Sequence, residues 1–193
     1  MKEQIEGLLP KREGHFVFES GHHGQVWLDL ERLLLHPERV QPLADVLADR
    51  LRGHRPEAVC GPLVEGAFVG LMVASSLRLP FSYSEPVRDH RAAGLFPVSY
   101  PIPRSLEREL QGKRVAIVND VINAGSAVRG TLASLKEYGA QPVAIGALAV
   151  YGQAARELAA TYHLALETLA SFPSRIWEPS SCPLCAKGVP LNA

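Results

Sequence analysis

The run Val115-Ala116-Ile117-Val118-Asn119-Asp120-Val121-Ile122-Asn123-Ala124-Gly125-Ser126-Ala127 constrains this chain more than any other stretch. Four apolar residues read as a buried strand, a polar pair ends it, and a turn of small residues follows. The next segment, Val128 to Tyr138, has helical spacing. A strand, a tight Gly/Ser turn and a helix start in that order make an anion cradle. Free backbone N–H groups and the positive end of the helix dipole converge on one point. Asn119 and Asp120 fall at the carboxyl end of the strand, where an open α/β sheet puts its ligands. A phosphate in the turn and sugar hydroxyls on the Asn-Asp pair suit this arrangement. The plainer alternative is a strand, turn and helix in which Asn and Ser serve only as caps.

The rest of the chain supplies more of the same units. Pro37 starts a helix that runs to Leu51, with Pro42 in or near its first turn and Gly53 ending it. Glu57 to Cys60 is a short buried strand, Gly61 to Gly66 a turn, Ala67 to Leu77 an apolar helix and Phe81 to Ser84 a strand. Glu85 to Gly112 reads as a long Arg-, Pro- and Gly-rich loop with a hairpin-like centre at Leu95 to Ile102. Strand 114–118 and its helix follow. Then come strand Gln141 to Val150, helix Ala154 to Thr161, strand His163 to Ala170 and a Pro/Ser/Cys-rich tail from Phe172. Alternating strands and helices predict an α/β fold, a parallel twisted sheet flanked by helices. Right-handed crossovers then bring the loops after Cys60, Ser84, Val118 and Val150 to one edge.

At 193 residues, the chain is read as a single domain, 1–193, with an N-terminal segment 1–36 and a tail 172–193. Lys+Arg and Asp+Glu both number 20, so charge offers no case for nucleic acid or an anionic membrane as partner. No apolar run reaches membrane-spanning length, and Met1 to Pro10, with Lys2, Glu3 and Glu6, does not read as a signal peptide. Three cysteines do not make a disulfide framework, and the expected compartment is the cytoplasm.

The run 115–127 resembles the PRPP-binding motif of type I phosphoribosyltransferases: a hydrophobic strand, two acidic residues, two apolar residues, then Thr-Thr/Ala-Gly-Thr/Ser. Asn119 stands where the family usually has Asp or Glu, and Asn123 where it usually has Thr. Gly14 to Asp29 looks like the hood of orotate phosphoribosyltransferases, with Phe16, Phe18, Ser20 and Gly21 matching and Trp27 in the aromatic patch. Glu19 takes the place of a frequent Lys or Arg. Gly61-Pro62-Leu63-Val64-Glu65-Gly66 resembles the pyrophosphate turn, with Glu65 where a glycine is usual. Glu85 to Ser105 matches the flexible catalytic loop by position. It offers Arg88, His90, Arg91 and Arg104, and no lysine occurs between Lys11 and Lys113. Tyr151-Gly152 replaces the Asp-Arg that orotate enzymes usually carry after this strand, whose Arg reads the pyrimidine carboxylate. Cys182-Pro183-Leu184-Cys185-Ala186-Lys187-Gly188-Val189-Pro190-Leu191 is similar to a tail found in some bacterial members of that subfamily.

The resemblance implies the type I phosphoribosyltransferase fold, with hood and flexible loop, and transfer of ribose 5-phosphate from PRPP to a nucleobase in pyrimidine nucleotide synthesis. It implies Mg²⁺ bound with PRPP, and a homodimer. Carried over residue by residue, Asn123, Ala124, Gly125, Ser126 and Ala127 hold the 5-phosphate and Asn119 and Asp120 the ribose hydroxyls. Gly61, Pro62 and Gly66 face the pyrophosphate. Arg88, His90 and Arg91 close over it, so Arg88, His90 and Asp120 are the expected catalytic residues. Phe18, Trp27, Asn123 and Tyr151 are the expected base-binding residues.

Two other readings stay open. One is a non-catalytic protein that binds PRPP or a nucleotide, suggested by Glu19, Glu65, Asn119 and Tyr151-Gly152. The other is a phosphoribosyltransferase for another base. No residue is assigned to a metal. Adjacent His22 and His23 point apart in an extended chain, and Cys182 with Cys185 is only half a zinc site. Plain thiols or a disulfide are the expectation for that pair.

Overall fold

The computed structural model describes residues 3, 5, 7, 11–88 and 98–192, with Arg88 described by its backbone. The elements in chain order are β1 (Lys11–Val17), β2 (His23–Leu28), a 3₁₀ turn (Leu30–Leu35) and α1 (Pro37–Arg52). Next come β3 (Ala58–Pro62), α2 (Glu65–Leu77), β4 (Phe81–Ser84), β5 (Val87–Arg88), β6 (Val98–Ser99) and α3 (Arg104–Leu110). The chain continues with β7 (Arg114–Ile122), α4 (Ser126–Glu137), β8 (Gln141–Tyr151), α5 (Ala154–Thr161) and β9 (Ala165–Phe172). It closes with β10 (Ile176–Trp177) and α6 (Pro183–Ala186).

Five strands form a parallel sheet in the order β4-β3-β7-β8-β9. Strand direction alternates Cβ atoms between two faces, and each face is closed by helices. On one face Val40, Leu47 and Leu51 of α1 and Val69 and Val73 of α2 pack with Ala116, Val118 and Leu148. On the other, Leu110, Val128, Leu132 and Leu158 pack with Val115, Ile117 and Ile145. The sheet order reverses between β3 and β7. At such a switch point the connecting loops diverge and leave a crevice at the carboxyl ends.

Strand β7 runs further than the four apolar residues suggest. It continues through the polar pair to Ile122 and pairs with β8 throughout, Asn119 opposite Ala147 and Ile122 opposite Val150. Val121 packs with the α1/α2 layer and Ile122 with the other, so the in–out alternation set by Ala116 and Val118 changes phase at Asn119-Asp120. Residues 104–110, within the stretch expected as loop, form helix α3. Leu106 and Leu110, four apart after Pro103, are the amphipathic signal, and both pack into the second layer. Val98–Ser99 pairs antiparallel with Val87–Arg88; of the hairpin-like centre expected at Leu95 to Ile102, residues 95–97 lie outside the described residues. Among the described residues no helix is long and apolar enough to cross a membrane.

The hood is a separate antiparallel sheet, β1-β2-β10. The β1–β2 connection, 18–22, reaches the carboxyl edge of the main sheet at Ser126, with Phe18 stacked on Trp27 and Phe16 tilted against the same ring.

Candidate active site

A cleft of about 310 Å³ opens at the carboxyl ends of β3 and β7. Three segments far apart in sequence line it: Phe18, Glu19, Ser20 and Trp27 from the hood, 62–66 from the turn after β3, and 119–128 from the end of β7 into α4. The expected residues Pro62, Gly66, Asn119, Asp120, Asn123, Ala124, Gly125, Ser126 and Ala127 all border it.

The cradle has the backbone an anion site needs. Gly125, the residue preceding α4, has φ +80°, a conformation glycine adopts without penalty, and among the described residues no side chain caps the helix. The first-turn N–H groups of α4 are therefore left for a ligand at the cleft. This departs from the plainer alternative, in which Asn or Ser would serve as the cap.

Asp120 and Asn123 lie at the cleft floor with unmet hydrogen-bonding capacity. Asp120 Oδ2 and Asn123 Oδ1 are buried and have no hydrogen-bond partner among the described residues. Orphaned buried oxygens are rare in folded chains and mark places where a ligand completes the network. Burial pushes the Asp120 carboxyl up to about 7, and the nearby Glu65 charge adds to this, while backbone N–H groups at Val121 and Asp120 itself pull the other way.

The departures from the family pattern have local physical reasons. The Asn119 Nδ2 amide donates to Val121 O at 2.9 Å, which a carboxylate in the same place could not do. Asn119 also keeps a further negative charge out of a pocket that already holds Asp120 and Glu65. Glu19 accepts from the Tyr100 hydroxyl at 2.5 Å and from Ser126 Oγ at 3.4 Å. That carboxylate ties the hood to the stem of the long loop and to the cradle. Burial, then Glu19 and Asp120, pushes the Tyr100 phenol far above its usual range, so it stays a donor. Tyr100 was not among the expected site residues. Its one sequence signal is an aromatic residue at the end of the polar loop.

The two glycines of the β3 turn serve close packing. A Cβ on Gly61 would lie 2.7 Å from Ala67 Cα and from Gly66 O, so α2 could not sit where it does. A Cβ on Gly66 would collide with Asn119 Oδ1. Gly66→Ala should therefore displace Asn119 from Val121, lower the melting temperature by about 5 °C in calorimetry and open the cleft floor. An unchanged melting temperature would show that this contact relaxes freely.

Trp27 stacks on Phe18 with centroids 5.8 Å apart and planes 9° from parallel, so the hood presents an aromatic pair to the cleft rather than a lone ring. Tyr151 stands apart from that pair. It lines an adjoining cavity of about 180 Å³ with Lys11, Glu13, Phe172 and Arg175, and Asn123 borders both spaces. Lys11 and Arg175 were not anticipated, because they sit in the first hood strand and near the tail. His90 and Arg91 lie outside the described residues, as does the side chain of Arg88.

The phosphoribosyl transferase domain model matches residues 29–181. Orotate phosphoribosyltransferase of Thermotoga maritima is 28% identical over 192 residues, covering 100% of this chain and 95% of the relative. That of Helicobacter pylori strain 26695 is 31% identical over 191 residues, covering 93% of this chain and 90% of the relative. Among solved structures, orotate phosphoribosyltransferase from Aeropyrum pernix superposes with a TM-score of 0.63 at 26% identity, over 88% of this chain and 90% of that one. Adenine phosphoribosyltransferase from Thermoanaerobacter pseudethanolicus shares the fold, with a TM-score of 0.68 at 19% identity over 89% of this chain and 100% of that one. With the cleft, the cradle and these likenesses together, the chain belongs to the phosphoribosyl transferase domain family, in its orotate phosphoribosyltransferase-like subfamily.

Proposed function

We propose that this chain transfers ribose 5-phosphate from PRPP to orotate, releasing pyrophosphate, as a step of pyrimidine nucleotide synthesis. The observation that carries the reading is the convergence of hood, β3 turn and cradle on one cleft whose floor holds the unpartnered oxygens of Asp120 and Asn123. Residues 123–127 receive the 5-phosphate on backbone N–H groups. Asn119 and Asp120 take the ribose hydroxyls, and Pro62 and Gly66 face the pyrophosphate, with Gly61 behind them letting α2 pack close. Arg88, His90 and Arg91 close over the leaving group. Phe18 and Trp27 stack on the base, with Asn123 and Tyr151 at its edge.

The chemistry asks little of acid–base groups. Breaking the glycosidic bond to pyrophosphate leaves an oxocarbenium-like sugar, so the site must neutralise the leaving group and hold the base nitrogen in line. Asp120 and Glu65 suit a Mg²⁺ ion carried in by PRPP, since that cation takes one or two carboxylates and fills its other positions with phosphate and water oxygens. When bound, Mg²⁺ supplies positive charge to the departing pyrophosphate. Asp120 then sits beside the sugar, where its negative charge favours the developing cation. The reading includes a single domain over 1–193, a homodimer and a cytoplasmic location.

Orotate carries a carboxylate, and Tyr151-Gly152 has no cation to read it. The adjoining cavity offers two, Lys11 and Arg175, the latter 3.7 Å from Glu13. In the K11A/R175A double variant, KM for orotate should rise by about 10–100-fold, the worth of a lost charge-assisted hydrogen bond. KM for PRPP should hold. Assays of the native chain over a panel of bases complete the test. An unchanged orotate KM, together with faster turnover of a base lacking a carboxylate, would favour the other-base reading prompted by Tyr151-Gly152.

A further inference from the structure

The tail and the hood meet in a cluster that the phosphoribosyl reading does not use. One nitrogen each from His15 and His23 and the sulfurs of Cys182 and Cys185 all lie within 4.8 Å of one another. His15 is in β1 and His23 in β2. Cys182 immediately precedes α6, and Cys185 lies within it.

We propose that His15, His23, Cys182 and Cys185 bind one zinc ion that fastens the C-terminal tail to the hood. Two imidazoles and two thiolates are a complete structural zinc set. The spacing suits a shared centre. Bonds of zinc to nitrogen and sulfur of ordinary length put tetrahedral ligand atoms about 3.4 Å apart for N···N and about 3.6 Å apart for N···S. Here His15 Nε2 is 3.1 Å from His23 Nδ1, and His23 Nδ1 is 3.1 Å from Cys185 Sγ. Cys182 Sγ and Cys185 Sγ are 3.4 and 3.7 Å from His15 Nε2.

The surroundings orient the ligands. His15 Nδ1 lies 2.7 Å from Val189 O, and donating there leaves the Nε2 lone pair facing the cluster. This is the outer contact that fixes a metal-bound imidazole in zinc proteins. His15 is also strapped through its backbone, its N–H donating to Asn192 Oδ1 and its carbonyl accepting from Asn192 N. His15 and Cys182 are buried. His22, by contrast, turns away to Ser20 Oγ, so the adjacent pair does point apart and only one of the two reaches the cluster. Of the two states expected for Cys182 and Cys185, plain thiols or a disulfide, the structure has thiols: both cysteines are free.

The consequence reaches the cleft. His15 and His23 flank the hood connection that carries Phe18, Glu19 and Ser20, and Val17 pairs with His23. An ion held between them fixes the base of that connection and joins it to a segment about 160 residues away. Binding two thiolates releases two thiol protons to solvent, so loading weakens as pH falls.

The test uses the full chain purified under reducing conditions. Metal analysis should find about one zinc per chain, retained through dialysis. The chain stripped of metal and refilled with Co²⁺ should show the intense visible bands of a tetrahedral ion and a thiolate-to-cobalt charge-transfer band. Zinc content should fall to background in C182S/C185S. H23N, at the rim of the cluster, should lower zinc affinity in a folded chain. Absence of zinc and of a tetrahedral cobalt spectrum in the native chain would overturn the proposal. So would full zinc retention in C182S/C185S, or thiol titration showing a disulfide in the native protein. None of these readouts depends on PRPP turnover.

Discussion

Gly125→Val abolishes measurable PRPP binding while the chain still folds. At φ +80° a β-branched residue is strained, yet a Cβ there meets nothing closer than 3.9 Å. The cost therefore falls on the backbone, about 1–2 kcal/mol or somewhat more for a branched side chain, and the melting temperature drops by about 5 °C. The turn relieves that strain by rotating its peptides, which takes the N–H groups off the phosphate. Losing two charge-assisted hydrogen bonds weakens binding by at least about 100-fold. Calorimetric titration with PRPP and Mg²⁺ checks the affinity, and a thermal melt checks the fold. Unchanged affinity would mean that the cradle is only a connection between β7 and α4.

Asp120→Asn makes the protein more stable and less active. The native carboxyl is raised to about 7 by burial and then by Glu65, far above its value in an unfolded chain. The folded state therefore favours the neutral form. Between about pH 4 and 7 the unfolded chain loses a proton that the folded chain keeps, so stability falls as pH rises through this window. Above pH 7 the cost of burying the charge is fully present. Asn carries no charge and escapes it, so the gain in melting temperature is near zero at pH 4 and about 5 °C or more at pH 8. Activity moves the other way. Replacing the charged acceptor at the ribose hydroxyls lowers kcat/KM for PRPP by about 10–100-fold. Melts across pH and steady-state kinetics read both effects. A variant that is less stable at pH 8 than the native chain would contradict the burial account.

Much of this fold is legible in the sequence because its signals are local. The apolar strand, the Gly/Ser turn and the helical spacing after Val128 predict β7, the cradle and α4 from thirteen residues and their flanks. Right-handed crossovers then bring the β3 turn beside them, with no contact known in advance. What is not legible is set by non-local contact. Nothing near Glu19 announces that Tyr100 will donate to it, and nothing near Gly66 announces Asn119. Asn119 therefore reads as a loss of charge, whereas in the fold its amide bonds to Val121 and spares the cleft another carboxylate. The extension of β7 past Asn119-Asp120 depends on pairing with β8, which a polar pair hides. The tail shows the limit most clearly. Cys182 and Cys185 have the spacing of half a metal site, and the two histidines that complete the cluster lie at the other end of the chain.

The most direct measurement is pyrophosphate release by the full-length chain given PRPP, Mg²⁺ and orotate. The account predicts multiple turnovers that depend on orotate, yield the phosphoribosylated base in equal amount, and are lost in Gly125→Val. PRPP binding with no pyrophosphate release on orotate or on any other base would contradict it.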